Sequence, residues 1–321
     1  MIGRRTVLAA GAAAALPGMA GLLHAQSYTT LGDVRREFDR QAATSLKVGG
    51  GHIDLAFAAG SDAIDKPRVT DWVRRSARAV SLYFGRFPVP QVSILVVPDD
   101  GARVGHATTW GYRGATIRIG VGTQAAEPAF RRDWVLVHEM VHLALPNLPE
   151  EHIWALEGNA TYVEPVARVQ AGDLEAVTIW HDMAVGMVNG IPRAGDQGLD
   201  RTHSWGRTYW GGALYYLTAD IDILTRTRGK FGLQTALRAI NRASGGNGAE
   251  WTMEQLVKAG DAATGVDAMA GLWRRWRNTP EPVDLDSLFA ELGVSIRGAT
   301  AVFDEGARLA SVRQAVTRIV S

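Results

Sequence analysis

Apolar residues recur along this chain with two periods, and the change of period divides it. In the first third, Leu46-Lys47-Val48 and His52 to Phe57 alternate on either side of Gly49 to Gly51, which predicts short strands. Val92-Ser93-Ile94-Leu95-Val96-Val97, stopped by Pro98, is the clearest strand. Val104–Tyr112 and Ala115–Val121 flank Arg113-Gly114 and read as a hairpin. A polar helix over Leu31–Ala43, with Asp33 in its first turn, and a helix over Val69–Phe84 accompany these strands. In the latter, Val69, Trp72, Val73, Ala77, Val80, Tyr83 and Phe84 fall at helical spacing.

From Pro128 onward the helical period dominates. One helix is predicted over Pro128–Leu145, begun by Pro128 and ended by Pro146. A second covers Glu151–Ala171, kinked or divided at Pro165. Gly, Pro and Asp punctuate Asp173–Thr202, with a helical fragment around Trp180–Met187. Helices follow at Tyr209–Thr225, Leu233–Arg242, Met253–Lys258, Asp267–Arg277 and Leu285–Leu292, with Thr252-x-x-Gln255 and Asp286 as caps. The pattern predicts an α+β fold. Residues 26–127 form an N-terminal α/β part with a small mixed sheet, and residues 128–321 a mostly helical part.

Composition narrows the chemistry. The chain has 321 residues, 46% of them hydrophobic, enough to bury a substantial core in one or two domains. A formal charge of +1 leaves no electrostatic footprint for nucleic acid. With no cysteine there is neither a disulfide nor a thiolate metal site, so any metal must be held by His, Asp or Glu. Residues 1–25 read as a cleaved signal peptide. Arg4-Arg5 precede the apolar Thr6–Leu16, small residues follow before Gln26, and the arginine pair resembles a twin-arginine signal. The expected location is periplasmic or secreted, with no later segment apolar enough to span a membrane. Oligomeric state is not legible.

The decisive stretch runs from Trp134 to Glu164. His138 and His142 are four apart, so on a helix their imidazoles leave one face one turn apart, as two nitrogen ligands of one tetrahedral metal require. Their neighbours Val135, Leu136, Val137, Met140, Val141, Leu143 and Ala144 carry no charge, and a buried face with unsatisfied imidazoles would cost about 1–3 kcal/mol per group. Glu139 is placed to reach a metal-bound water rather than the metal. Catalytic zinc takes three protein ligands, and Glu157 is the candidate third. The loop Pro146–Glu150 permits an antiparallel pairing that returns Glu157 to the histidines, and Gly158 permits close helix approach. Glu164 shares the face of Glu157.

Trp154-x-x-Glu157-Gly158-x-Ala160-x-Tyr162-x-Glu164 resembles the second-helix motif of gluzincins, the His-Glu-x-x-His…Glu zinc metallopeptidases. Within them the likeness is to the membrane-alanyl and glycyl aminopeptidases. Tyr209-Trp210-Gly211-Gly212-Ala213-Leu214 resembles their Tyr-x-x-Gly-Ala segment, and the likeness extends over about Trp134–Leu237, with a looser match over Asp284–Leu309. It implies a zincin fold of the thermolysin kind and one zinc ion per chain. It implies His138, His142 and Glu157 as ligands, Glu139 as general base toward a zinc-activated water, and Tyr209 as hydroxyl donor to the oxyanion. His203 and Arg207 are further candidates for oxyanion or substrate-carboxylate contacts. Glu164 is a candidate to orient a ligand histidine. In such peptidases the strand before the zinc helix borders the cleft and pairs with extended substrate, which makes His106 and Trp110 candidates to face it.

Two features depart from the aminopeptidase pattern. The connection between His142 and Glu157 is shorter, and Gly105–Trp110 lacks the glutamate that binds a substrate's free amine. The expected function is an exported zinc-dependent peptidase acting on peptide or protein substrates, endo- or aminopeptidase unresolved. The alternatives are a zinc hydrolase of a non-peptide amide or ester or of a cell-wall peptide, and a non-catalytic envelope binding protein on a peptidase fold. Intact Glu139 argues against the last.

Overall fold

The alternating segments of the first third join one five-stranded mixed sheet. The computed structural model describes residues 28–319, so residues 1–25, read above as a signal peptide, lie outside it. The strands are β1 (Thr44–Val48), β2 (Gly51–Phe57), β3 (Gln91–Asp99), β4 (Val104–Trp110) and β5 (Ala115–Gly122), in the order β1-β2-β3-β5-β4. β2, β3 and β5 run parallel, while β1 and β4 pair antiparallel with β2 and β5. β4 is therefore an edge strand. Helix α1 (Leu31–Phe38), ending earlier than its polar pattern predicts, packs Val34 on one face of the sheet beside Ala56, Leu95 and Val97. Helix α2 (Lys66–Phe84) covers the other face, with Val69, Trp72, Val73, Ala77, Val80, Tyr83 and Phe84 all buried as their spacing predicts.

The predicted helix over Pro128–Leu145 is two helices, α3 (Glu127–Arg132) and α4 (Val135–Val141). Asp133 makes the break. Its backbone is extended, and its carboxylate accepts from the amides of Val135 at 3.1 Å and Leu136 at 3.2 Å, supplying acceptors that a new helix start lacks. Helix α5 (Ile153–Gln170) runs through Pro165 without dividing. The helical part continues with α6 (Ala176–Gly186), α7 (Gly212–Arg226), α8 (Leu233–Ser244), α9 (Met253–Thr264), α10 (Ala268–Trp276) and α11 (Leu285–Glu291). Asp284 rather than Asp286 caps α11, accepting from the Ser287 amide. A hairpin of β6 (Val294–Arg297) and β7 (Thr300–Phe303), then α12 (Ala310–Val316), close the described chain; neither is evident in the hydrophobic pattern. One apolar core runs from Leu46 in the sheet to Val316.

Two contacts fix α5. At its start it crosses α7 at Gly158 and Gly212, so closely that a Cβ on Gly158 would lie 2.3 Å from the Gly212 Cα. Nearer its end Arg168 donates to Glu164 at 2.7 Å and to the carbonyl of Arg131 at 3.1 Å, clasping α5 to the α3–α4 break. Gly158→Ala is expected to cost about 1–3 kcal/mol through overpacking against backbone. Urea denaturation measures it, and an unchanged midpoint would contradict the close crossing.

Candidate metal centre

Helix α4 holds only seven residues, yet it places two imidazoles on one face because His138 and His142 are one turn apart. Leu136, Met140 and Val141 anchor its other faces in the core. The helix ends at His142, and the carbonyl of Ala144 beyond it is taken by the Asn241 side chain at 2.9 Å. From α5, Glu157 points back between the two rings. Its Oε2 lies 3.3 Å from His138 Nε2 and 3.4 Å from His142 Nε2. One ligand atom from each of the three residues lies within 4.8 Å of the others. Glu157 returns to the histidines, as the loop length permits. Gly158 serves a different neighbour, approaching α7 rather than α4.

The electrostatics of this cluster suit a cation. Glu157 is only 4% exposed. Burial alone would raise its carboxyl, but the charges and hydrogen bonds of His142 and His138 hold it well below the usual carboxylate range. Burial likewise disfavours a charged His142; Glu157, with Glu139 adding to it, overcomes this and raises the imidazole to about 9. An anionic carboxylate between two imidazoles, with no thiolate in reach, is the nitrogen–oxygen donor set of a catalytic zinc site. The residues fit the metal that the sequence implies.

Glu139, next to His138 in sequence, stands outside the triad. Thr109 on β4 donates its hydroxyl to Glu139 Oε2 at 2.6 Å, with the Glu139 carbonyl also 3.1 Å away. Sequence reasoning missed Thr109 and pointed instead to Trp110. The pleat explains the error: neighbouring side chains leave opposite faces of a strand. Trp110 packs with Val34, Ala56, Ala58, Leu95 and Val97 on the α1 side, and Thr109 takes the side toward α4. Strict alternation against the buried partner Ile117 would have found it.

Tyr209 sits in a π-helical turn, Gly206–Gly211, that runs directly into α7, rather than at the start of an ordinary helix. Such turns are rare and frequent at functional sites. Its ring stacks over that of His138, centroids 6.3 Å apart, and burial together with Glu157 and Glu139 raises its phenol above the ordinary value. Two further aromatics flank the site. Trp134 sets its edge against His138 at 5.5 Å, Trp205 lies 6.3 Å from Tyr209, and both are more than half exposed.

The remaining candidates are placed elsewhere. Glu164 bonds to Arg168 and not to a ligand histidine; burial, opposed by Arg168, raises it to about 7. Arg207 is buried, ion-paired with Asp196 at 2.7 Å and donating to the Gly190 carbonyl, so its charge is satisfied inside the fold instead of meeting substrate. His203 is exposed before the π-helical turn. His106 is exposed on β4, with its carbonyl taken by Arg118, and its side chain has no bond to the cluster among the described residues.

With this geometry in hand, the fold can be set beside solved structures. It is similar to that of an aminopeptidase N family protein from Idiomarina loihiensis, at 15% identity and a TM-score of 0.59, over 80% of this chain and 50% of that one. An M1 zinc metallopeptidase from Deinococcus radiodurans matches at 18% identity and a TM-score of 0.47, over 76% and 54%. The first of these likenesses is one of fold: a mixed sheet followed by a helical remainder. The chain spans about half the length of the solved structures it matches. No protein-family model and no curated protein matches it.

A protonated His142 must give up its proton to bind a metal. Zinc affinity is therefore expected to rise about tenfold per pH unit, from this ligand alone, and to level near pH 9, with about one proton released per zinc at pH 7. Calorimetry in buffers of differing ionisation heat measures both. A pH-independent affinity between about 6.5 and 9 would contradict the protonated histidine.

Proposed function

We propose that this chain is an exported zinc-dependent metallopeptidase of thermolysin-like zincin architecture that hydrolyses peptide bonds. The observation that carries the reading is the arrangement on α4 and α5: His138, His142 and Glu157 converge while Glu139 remains outside the triad, held by Thr109. A scaffold without chemistry has no use for a carboxylate kept free beside three ligands. The basic and apolar character of residues 1–25 supports export to the periplasm or beyond.

His138, His142 and Glu157 would hold a zinc ion, which when bound would supply Lewis acidity toward the scissile carbonyl and lower the pKa of a water to about 7. Glu139 takes the proton of the attacking water and delivers it to the leaving amine. The Thr109 hydroxyl engages only Oε2 of that carboxylate, which fixes its rotamer and leaves Oε1 to accept. Tyr209 stays a phenol because burial and two neighbouring carboxylates disfavour its anion, so it keeps a proton to donate to the developing oxyanion. The open edge of β4 offers backbone partners to an extended substrate. Gly105–Trp110 brings no carboxylate to meet a free amine, so the reading is of a peptidase that accepts blocked amino termini.

The test uses zinc-loaded protein and a peptide library with free and blocked amino termini. Wild type is expected to cut both classes, and Glu139→Gln to keep its zinc while losing about 10²–10⁴-fold in kcat. A zinc-bearing wild type that cuts no peptide would refute the peptidase reading. Tyr209→Phe is expected to lower kcat by about 10²–10³-fold with zinc retained. Thr109→Val, which removes the positioning hydroxyl, should lower kcat by up to about 10²-fold with little change in KM. Steady-state kinetics separates these, and a pure KM effect of Thr109→Val would place it in substrate binding instead.

A further inference from the structure

The turn leading into β4, the end of α3 and the start of α4 border an open cavity of about 390 Å³ that the chemistry above does not use. Arg103 and Arg132 line it from two separate elements, with Val104, Asp133, Trp134 and Val135. Neither guanidinium has a hydrogen-bond or ion-pair partner among the described residues. The nearby arginines are engaged: Arg131 with Glu127 at 3.1 Å, Arg168 with Glu164, Arg118 with the His106 carbonyl and Arg75 with the Phe130 carbonyl. The one acid in the lining, Asp133, is buried and gives its two oxygens to the amides of Val135 and Leu136. Its charge is turned into the fold, and the face left to a visitor is cationic.

The position of the cavity joins it to the metal centre. Trp134, 53% exposed, forms its wall toward the ligands and sets its ring edge on His138. A group lodged there is separated from the triad by one indole. The cavity also lies at the Val104 end of β4, the edge strand whose other end brings Thr109 to Glu139. A peptide laid along β4 past Glu139 runs toward it. An indole and two exposed arginines lining one cavity suit an apolar stem ending in a carboxylate.

We propose that this cavity is an anion-accepting subsite, and that the preferred substrates carry a carboxylate on the side of the scissile bond nearer Val104. The carboxylate is an acidic side chain or a free C-terminus. This rests on the peptidase reading for its use, but the binding it asserts is measurable without turnover.

The zinc-loaded Glu139→Gln protein is titrated calorimetrically with three acetylated pentapeptides of one scaffold. One carries Glu and a C-terminal amide, one Gln and an amide, and one Gln and a free C-terminal carboxylate. At least one carboxylate peptide is expected to bind about tenfold or more tighter than the uncharged one, and which does so identifies the source. Joint replacement Arg103→Gln and Arg132→Gln should abolish that preference while zinc content and affinity for the uncharged peptide stay the same. Equal binding of all three, no binding of either carboxylate peptide at millimolar concentration, or a preference that survives the double replacement would overturn the subsite. If the preference is found but the wild type cuts none of the three, the subsite stands and the peptidase reading falls.

Discussion

The structure turns on one buried carboxylate facing two imidazoles. Glu157 Oε2 lies 3.3 and 3.4 Å from His138 and His142, inside a core where an unpaired charge would cost several kcal/mol. That arrangement is sustained only if α4 and α5 hold a fixed relation. The fold supplies it from both ends of α5: backbone-to-backbone contact of Gly158 with Gly212, and the grip of Arg168 on Glu164 and the Arg131 carbonyl. Glu164, expected near a ligand histidine, instead serves the same geometry at a distance. It supplies the hydrogen-bond acceptor that lets Arg168 be buried where it can clasp the α3–α4 break.

The chemistry follows from where the triad leaves its neighbours. One residue after His138, the helix turns Glu139 away from the ligand set and toward β4, where Thr109 restrains it. The close α5–α7 crossing also carries the π-helical turn to the metal face, so Tyr209 reaches His138 from a residue far along the chain. That turn is seated by glycine: a Cβ on Gly206 would lie 2.2 Å from the Asn189 carbonyl oxygen. Arg207, pinned inward to Asp196 and Gly190, anchors the same turn from beneath. The His138–His142–Glu157 cluster, Glu139 and Tyr209 thus depend on one packing arrangement.

Much of this was legible in the sequence, for identifiable reasons. Histidines four apart share one face of any helix that holds them, and the short loop after Pro146 permits the return of α5. The α+β division also followed from the change of hydrophobic period. What escaped was set by side chains that compete with the backbone or by parity along a strand. Asp133 breaks a helix that periodicity alone joins, because its carboxylate can cap a new start. Trp110 drew attention by size, whereas the pleat gives the site to the smaller Thr109. Arg207 read as a substrate contact because its partner Asp196 lies in a loop with no periodic signal. The hairpin of β6 and β7 is too short to show alternation.

The central claim is that three side chains from two helices form one metal site. Anomalous diffraction at the zinc absorption edge, from crystals of the zinc-saturated protein, tests it most directly. The account predicts a single strong peak bounded by His138 Nε2, His142 Nε2 and the Glu157 carboxylate, with Glu139 outside the ligand set. No peak there after saturation, or zinc held by Glu139 in place of Glu157, would contradict it.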